Sequence, residues 1–530
     1  MSDHTHLPAD TNQALGIARY AIGFLSDNPE LRGEPDASVL AKTNQFFTDA
    51  AICGVSALAL GTNAPVLLRE EAHDYPSADK PGATCFGSSA AVKPEKAIVA
   101  NCAAVREWDS NGTNFGYNPK RDQTAGEFGH NDFYAVCVAA AQMTGRGGAD
   151  ALRAMVCLDE IRGRLAEAFS LKTYKIDHVV HGAIASAAVY GAMLGATEEQ
   201  IESAIGMTVA HHIPFRAIRA GKQLSDSKGS SAAISTEAAV TAVHRSMRGF
   251  LGPRDIFRNP EAIFRIFEGP GQMFKKVDAD RANTGPGDAS PFDLYLSRTG
   301  DDFAVMGMHF KLGLYEHQSA GAIQAVIDLF EKAPHLMDDA TGDSIKRLKI
   351  VAYEPAFGII GDPAKRSPTT RQSADHSMVY IISTLMRKAL EGHGSGKKPS
   401  WEELILTPHD YSEAAIHNAI TRNLMDKIEF EHGGEAYDSK YPDGIPTSLV
   451  ITAKDGAEFD SGLVMYPAGH ARNTTADLNA LLDNKWKTLG ALASDDPASL
   501  VARFDGLAEK SAEQIASIHD FPLTITDTGI

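Results

Sequence analysis

Three things are scarce in this chain: cysteine, positive charge and long apolar runs. Only five cysteines occur in 530 residues, and none stand in a C-x-x-C spacing. Cys53, Cys85, Cys102, Cys137 and Cys157 therefore read as small buried hydrophobes in a reducing compartment. The net charge of −18 argues against broad nucleic-acid binding, because a phosphate backbone needs a basic face. The apolar stretches are broken by Gly, Glu or His and are too short to span a bilayer. The start, Met-Ser-Asp-His-Thr-His, has no basic stretch followed by an apolar core, so no secretion signal is expected and a cytoplasmic location follows.

What is present suits a soluble enzyme or binding protein. The hydrophobic fraction is 43%, and a chain of this length is expected to divide into two domains. Against the acidic background, Arg216-Ala-Ile-Arg219 puts two cations on one helical face. Lys228 follows nine residues after Arg219, with Lys222 between. A local concentration of cations in an acidic protein points to a small substrate with several carboxylates. A solvated helix end would also explain it, but Ile213, Pro214, Phe215 and Ile218 flank the run.

Apolar residues recur at three- and four-residue spacing over 13–30, 41–61, 133–143, 150–169 and 180–195, which predicts helices. Thr197-Glu-Glu-Gln200 has capping-box spacing and opens another through about 210. The texture changes at 268–302, where Gly, Pro and Asp predict a loop and a domain boundary. Strands are expected at 347–353, 448–453 and 458–466, the last two joined by the hairpin signal Lys454-Asp455-Gly456. Helices are expected at 318–332 and 375–390, a flexible connection at 391–400, and a helix start at Asp496-Pro497. The expected layout is a helical domain over 1–270, an α+β domain over 271–470 and a return to the helical domain over 471–530.

Histidines and carboxylates gather in several places. Asp109-Ser-Asn111-Gly112-Thr113 and Glu127-Phe-Gly-His130 combine acids, a histidine and glycine turns; an acid–base histidine is one reading, but on the residues alone an ordinary Asx turn with a surface histidine is favoured. His178-Val-Val-His181 with His211-His212 could hold zinc, but no H-E-x-x-H occurs and no third ligand has a diagnostic spacing. Lys311 and His317 fall near the domain boundary, a common place for a site. In Asp375-His376-Ser377-Met-Val-Tyr380, the tyrosine is expected one turn from His376 on the same helical face. His470 lies in Tyr466-Pro-Ala-Gly-His-Ala-Arg472. The glycine runs at 145–148 and 269–271 match no phosphate loop.

In this order the motifs resemble the MmgE/PrpD family. Asp109-x-Asn111-x-Thr113 is similar to its D-x-N/D-D-T run, with Gly112 where the family has Asp. Glu127-Phe-Gly-His130 is similar to E-W-G-H, after a stretch several residues longer than usual. Asp177-His178-Val, Arg216-x-x-Arg219 with Lys228, Lys311 with His317, His376-Ser-x-x-Tyr380 and Tyr466-Pro-x-Gly-His470-Ala-Arg472 follow. The resemblance implies a mostly α protein, with a large all-helical domain and a smaller α+β lid domain. It implies a homodimer without metal or organic cofactor, acting on a small polycarboxylate, most closely as a dehydratase of 2-methylcitrate. His130, His178, Lys228 and Tyr380 are then the candidate catalytic residues. Asp109, Thr113, Arg216, Arg219, Lys311, His317 and His470 are the candidate substrate ligands. Decarboxylation of cis-aconitate, or dehydration or epimerisation of another hydroxy-dicarboxylate, is the alternative within the family. A metal hydrolase and a non-catalytic carboxylate-binding protein are the alternatives outside it.

Overall fold

The computed structural model describes residues 3–78, 81–219, 224–266 and 289–530. Lys222 and the glycine–proline runs at 269–271 and 285–288 lie outside the described residues.

The first half is built from α1 (Gln13–Leu25), α2 (Ala37–Ala59), α3 (Asn63–His73), α4 (Pro94–Arg106), α5 (Tyr134–Thr144), α6 (Gly148–Ala168), α7 (Val179–Met193), α8 (Glu198–His211) and α9 (Asp226–Met247). α1, α2, α5, α6, α7 and α8 follow the expected periodicity, whereas α3, α4 and α9 answer to none of the expected ranges. The helix expected over 13–30 stops at Leu25, where Ser26 turns extended and its N–H and Oγ both donate to the Gly23 carbonyl. The capping box forms as expected: Thr197 Oγ1 accepts from the Gln200 N–H at 3.3 Å and Gln200 Oε1 from the Thr197 N–H at 2.9 Å. Small residues allow close packing. A Cβ on Gly182 of α7 would lie 2.0 Å from the Phe133 ring, so α7 sits directly against that side chain. Among the described residues no single helix is long and apolar enough to cross a membrane. Only α2 with α3, bent by 90°, passes such a test as a pair, and α2 is buried from Phe46 to Ala59.

The strands that matter for the site are β1 (His4–Leu7), β2 (Thr113–Phe115), β3 (Phe128–His130), β4 (Leu294–Ser297), β5 (Ile345–Ala352), β6 (Ile428–His432), β7 (Thr447–Ala453) and β8 (Glu458–Asp460). The second half carries one four-stranded sheet, in the order β6-β5-β7-β8, with β6 parallel to β5 and the other neighbours antiparallel. β7 and β8 form the expected Asp-Gly hairpin, with Gly456 at φ 89°. β8 stops at Asp460 rather than 466, because Gly462 at φ 69° breaks the strand. α10 (Ala320–Lys332) lies on this sheet: a Cβ on Gly321 would reach Thr447 Oγ1 at 2.7 Å. α11 (Met378–His393) completes the lid domain.

Strand pairing ties residues beyond the expected boundary at 271 back to the N-terminal part. β4 pairs with β1, residues 299–300 pair with 34–35, and His309 exchanges backbone bonds with Thr113. Those residues belong to the helical domain, and we place the crossing to the lid after Leu312. The chain returns through α12 (Leu478–Gly490), where Trp486 Nε1 donates to Asp49 of α2 at 2.9 Å. Lys485 of α12 is fully buried and donates to the Ser110 and Lys311 carbonyls at 2.7 and 2.8 Å. The tail of the chain thus clamps two loops that carry candidate site residues.

Candidate active site

Asp109 lies just beyond α4, with φ 50°, a left-handed turn that Asp tolerates. The turn brings its carboxylate, wholly buried, back onto Arg106 three residues earlier. Lys311 donates to the same carboxylate and, at 2.8 Å, to the Asp109 carbonyl. His376 Nε2 and Lys228 Nζ lie 3.1 and 3.8 Å from Asp109 Oδ2. Lys228, in the first turn of α9, donates to Asp375 at 2.8 Å. Arg371 reaches Asp375 at 3.3 Å and pairs with Glu107. Burial would raise the Asp109 carboxyl, but Arg106, Lys311, His376 and Lys228 outweigh it and hold the group well below the usual carboxylate range. Burial lowers Lys228 and Lys311, against the pull of Asp375 and Asp109.

Beside this matched cluster is an unmatched one. His130 closes β3 and His178 precedes the first residue of α7; their ring centroids are 5.3 Å apart. His130 Nδ1 and both ring nitrogens of His178 are buried with no hydrogen-bond partner. Burial lowers both imidazoles well below their usual value, with Arg106 and Lys311 adding to the effect on His130 and Asp177 opposing it on His178. Both are therefore neutral at pH 7. Leaving such polar atoms unpaired costs about 1–3 kcal/mol each, so each calls for an explanation.

Arg216 and Arg219 sit on a single 3₁₀ turn, Arg216–Arg219, not on an α-helix. Residues three apart eclipse in that geometry, so both lie near Asp177. Arg219 is committed to Asp177, with Nη2 at 3.2 Å from Oδ1, and Asp177 in turn lies 3.6 Å from His178 Nδ1. Arg219 thus braces His178. Arg216 keeps Nη1 buried without a partner.

The remaining sequence candidates divide. Buried His317 has both ring nitrogens unpartnered and stacks on His309, which stacks on His470 at a centroid distance of 4.1 Å. His470 Nδ1 accepts from the Arg472 N–H at 3.1 Å and its Nε2 is unpartnered. Thr113 Oγ1 donates to the Gly129 carbonyl at 3.0 Å and so ties β2 to β3. Tyr380 donates its hydroxyl to the Asp410 carbonyl at 2.5 Å inside the lid domain, and burial pushes it up to about 12. The shared helical face expected for His376 and Tyr380 does not form. Ser377 caps α11, with its Oγ accepting from the Tyr380 N–H at 3.3 Å, so His376 falls before the helix and turns to Asp109.

The zinc set does not assemble: His181 Nε2 lies 3.0 Å from the Phe169 carbonyl, while His211 and His212 are exposed at the end of α8. Asp109, Asp375 and His376 offer donor atoms within 4.8 Å of one another, but Arg106, Lys228, Lys311 and Arg371 already neutralise those carboxylates and would repel a cation.

Gly112 also finds its explanation here. A Cβ there would come within 2.4 Å of the Phe46 ring, which stacks on Phe310 at 3.9 Å. Aromatic packing fills the space an aspartate would take. The long stretch before His130 folds outward, with Asn118 on Glu167 at 3.0 Å and Gln123 on the Asp293 carbonyl at 2.6 Å. Sequence reasoning missed Arg106, Glu107, Arg371, Asp375 and His376 as members of the cluster, and Glu316 and Lys365 at its edge. Of these, Asp375-His376 stood inside one of the motifs, and Arg106 stood one helical turn before Asp109.

Residues 30–274 match the MmgE/PrpD N-terminal domain and residues 402–500 the MmgE/PrpD C-terminal domain. A 2-methylcitrate dehydratase of Escherichia coli is 24% identical over 337 residues, covering 63% of this chain and 62% of that protein. One from Salmonella typhi is 23% identical over 421 residues, covering 76% of each. An alkylcitrate dehydratase of a fungal strain is 24% identical over 377 residues, covering 70% of this chain and 66% of its own length.

Proposed function

Since this chain belongs to the MmgE/PrpD family, we propose that it is a hydro-lyase that removes water from 2-methylcitrate or a closely related alkylcitrate. The observation that carries this reading is the buried, neutral, unpartnered pair His130–His178 within the field of Arg216 and Lys311. The names of its relatives in bacteria and fungi support the substrate class.

Such a dehydration takes a carbon-bound proton next to a carboxylate and expels a hydroxyl. Negative charge gathers on that carboxylate as the proton leaves. Cations fixed beforehand stabilise it, commonly the greatest single contribution in this kind of catalysis. Arg216 has a free guanidinium nitrogen, and Lys228 has N–H donors beyond the one on Asp375. A base must be unprotonated to act, and His178 is, with Arg219–Asp177 behind its Nδ1 to steady the imidazolium that forms. His130 is the neighbouring hydrogen-bond partner. The Asp109 cluster holds Lys228 and Lys311 in place. In this reading the protein is a cytoplasmic homodimer and uses neither metal nor organic cofactor.

The test is turnover of 2-methylcitrate by the purified, metal-free protein, followed by ultraviolet absorbance of the new conjugated alkene, with citrate and cis-aconitate alongside. Alkene from 2-methylcitrate is expected. Carbon dioxide from cis-aconitate, with no alkene from the other two, would move the assignment to a decarboxylase.

A further inference from the structure

With Lys228 and Lys311 given to the substrate carboxylates, the histidines and Tyr380 of the site supply bases but no acid. His130, His178, His317, His376 and His470 are all neutral at pH 7, and Tyr380 is engaged within the lid domain. A departing hydroxyl still needs a proton.

We infer that Glu316 is the general acid, giving its carboxyl proton to the hydroxyl as the carbon–oxygen bond breaks. This rests on the dehydratase reading. Glu316 belongs to the loop between Lys311 and α10, on the lid side, whereas His130 and His178 belong to the helical domain. Its N–H donates to the Asp375 carbonyl at 3.0 Å, which locks it to the Asp109 cluster. Oε2 accepts from the Gln318 N–H at 2.8 Å. Among the described residues Oε1 has no hydrogen-bond partner, and the residue is half-buried rather than closed off. The charged groups acting on it are Asp109 and Lys311 of the cluster, Lys365 of the turn Pro363–Lys365, and Arg216 of the helical domain. The phenols of Tyr353 and Tyr441 feel its charge, and the buried Tyr353 hydroxyl has no partner. Lys365 feels Lys228 and Arg216 as well. Glu316 therefore stands between Lys311 and His317 in the chain, tied by its backbone to Asp375, within the field of Lys311, Lys365 and Arg216.

The chemistry balances. His178 takes the carbon-bound proton, the C–H electrons form the alkene, and the C–O electrons leave with the hydroxyl. Glu316 protonates that oxygen to give water, becomes a carboxylate, and recovers a proton from the imidazolium through solvent. Burial and the repulsion of Asp109 push the Glu316 carboxyl up to about 7, against Lys311, the Gln318 N–H and Lys365, so a large share carries the proton at neutral pH.

The test is Glu316→Gln, which keeps the acceptor for the Gln318 N–H and the side-chain volume. With 2-methylcitrate, kcat is expected to fall about 100-fold or more, KM to change less than about threefold, and the alkaline limb of kcat near pH 7 to disappear. With an analogue bearing chlorine in place of the hydroxyl, a leaving group that needs no proton, the variant is expected to stay within about fivefold of wild type. A variant that keeps wild-type kcat and its alkaline limb, or loses both substrates equally, overturns the inference while leaving the dehydratase reading intact. A wild-type protein silent on every triacid overturns that reading first, and the inference with it.

Discussion

Around Asp109 every strong charge is matched: Arg106, Lys311 and Lys228 on one carboxylate, Lys228 and Arg371 on Asp375, Arg371 again on Glu107. Along the His130–His178 edge, with Arg216, buried polar atoms have no partner at all. The two regions lie within one polar core: ion pairs balance the charges of the first, though Asp109 Oδ2, Arg106 Nε and Arg371 Nε make no hydrogen bond, while the imidazoles of the second are neutral and unpaired. A matched buried network is stiff and destabilising to break. Unmatched atoms weaken the fold slightly and are kept where something else will satisfy them. The comparison separates scaffold from reacting surface more sharply than residue type does, since both regions contain histidine and basic side chains.

The comparison breaks most visibly at its centre. Asp109→Ala leaves Arg106 and Lys311 without their carboxylate and is expected to lower unfolding free energy by about 3–5 kcal/mol, read by urea denaturation. An unchanged midpoint would mean the cluster is not the scaffold.

The second test is acid. His130, His178, His309 and His317 are held well below the usual value, His181 and His519 near 4, and His376 and His470 near 3, all by burial. In each case the unfolded state binds the proton more readily than the folded state. The histidine contribution is thus absent above pH 6.5 and destabilises as the pH drops below it, the reverse of the raised Glu316 carboxyl, which favours the folded state as the pH falls through 7. Each imidazole removes up to about 1.4 kcal/mol per pH unit, so the melting temperature is expected to drop steeply between pH 6.5 and 5. A flat profile would mean these rings are solvated.

Two smaller effects sharpen the contrast. Gly112→Asp restores the residue usual in the family but drives a side chain into Phe46, so a loss of about 1–3 kcal/mol is expected in urea denaturation, with no gain in turnover. Tyr380→Phe removes a bond to the Asp410 carbonyl and is expected to lower stability by about 1 kcal/mol, with kcat within about threefold of wild type. A large kcat loss would return Tyr380 to the reaction.

Much of the helical domain was legible because its helices carry their own signals, such as the Thr197–Gln200 capping box and Asp496 before Pro497. The β7–β8 hairpin announced itself through Asp455-Gly456. β6 did not: Ile428-Glu-Phe-Glu-His432 is an edge strand whose register comes only from β5. β4 returns to β1 across the expected boundary at 271, a pairing with no local signature. At the site, isolated cations stood out in an acidic chain, so Arg216, Arg219, Lys228 and Lys311 were named. Their carboxylate partners were invisible among 68 acidic residues. Sequence therefore could not tell Arg219, bound to Asp177, from Arg216, which is free. Nor could it find Glu316, whose character comes from Asp109, Lys311 and Lys365 at distant positions.

The most direct test of the central claim is the rate of alkene formation from 2-methylcitrate by His178→Gln, compared with wild type at equal folded fraction. The account predicts a fall of about 10²–10⁴-fold with urea stability within about 1 kcal/mol of wild type, since no hydrogen bond is lost. A variant that keeps the wild-type rate would contradict it, because the unmatched edge would then not be where the proton is taken.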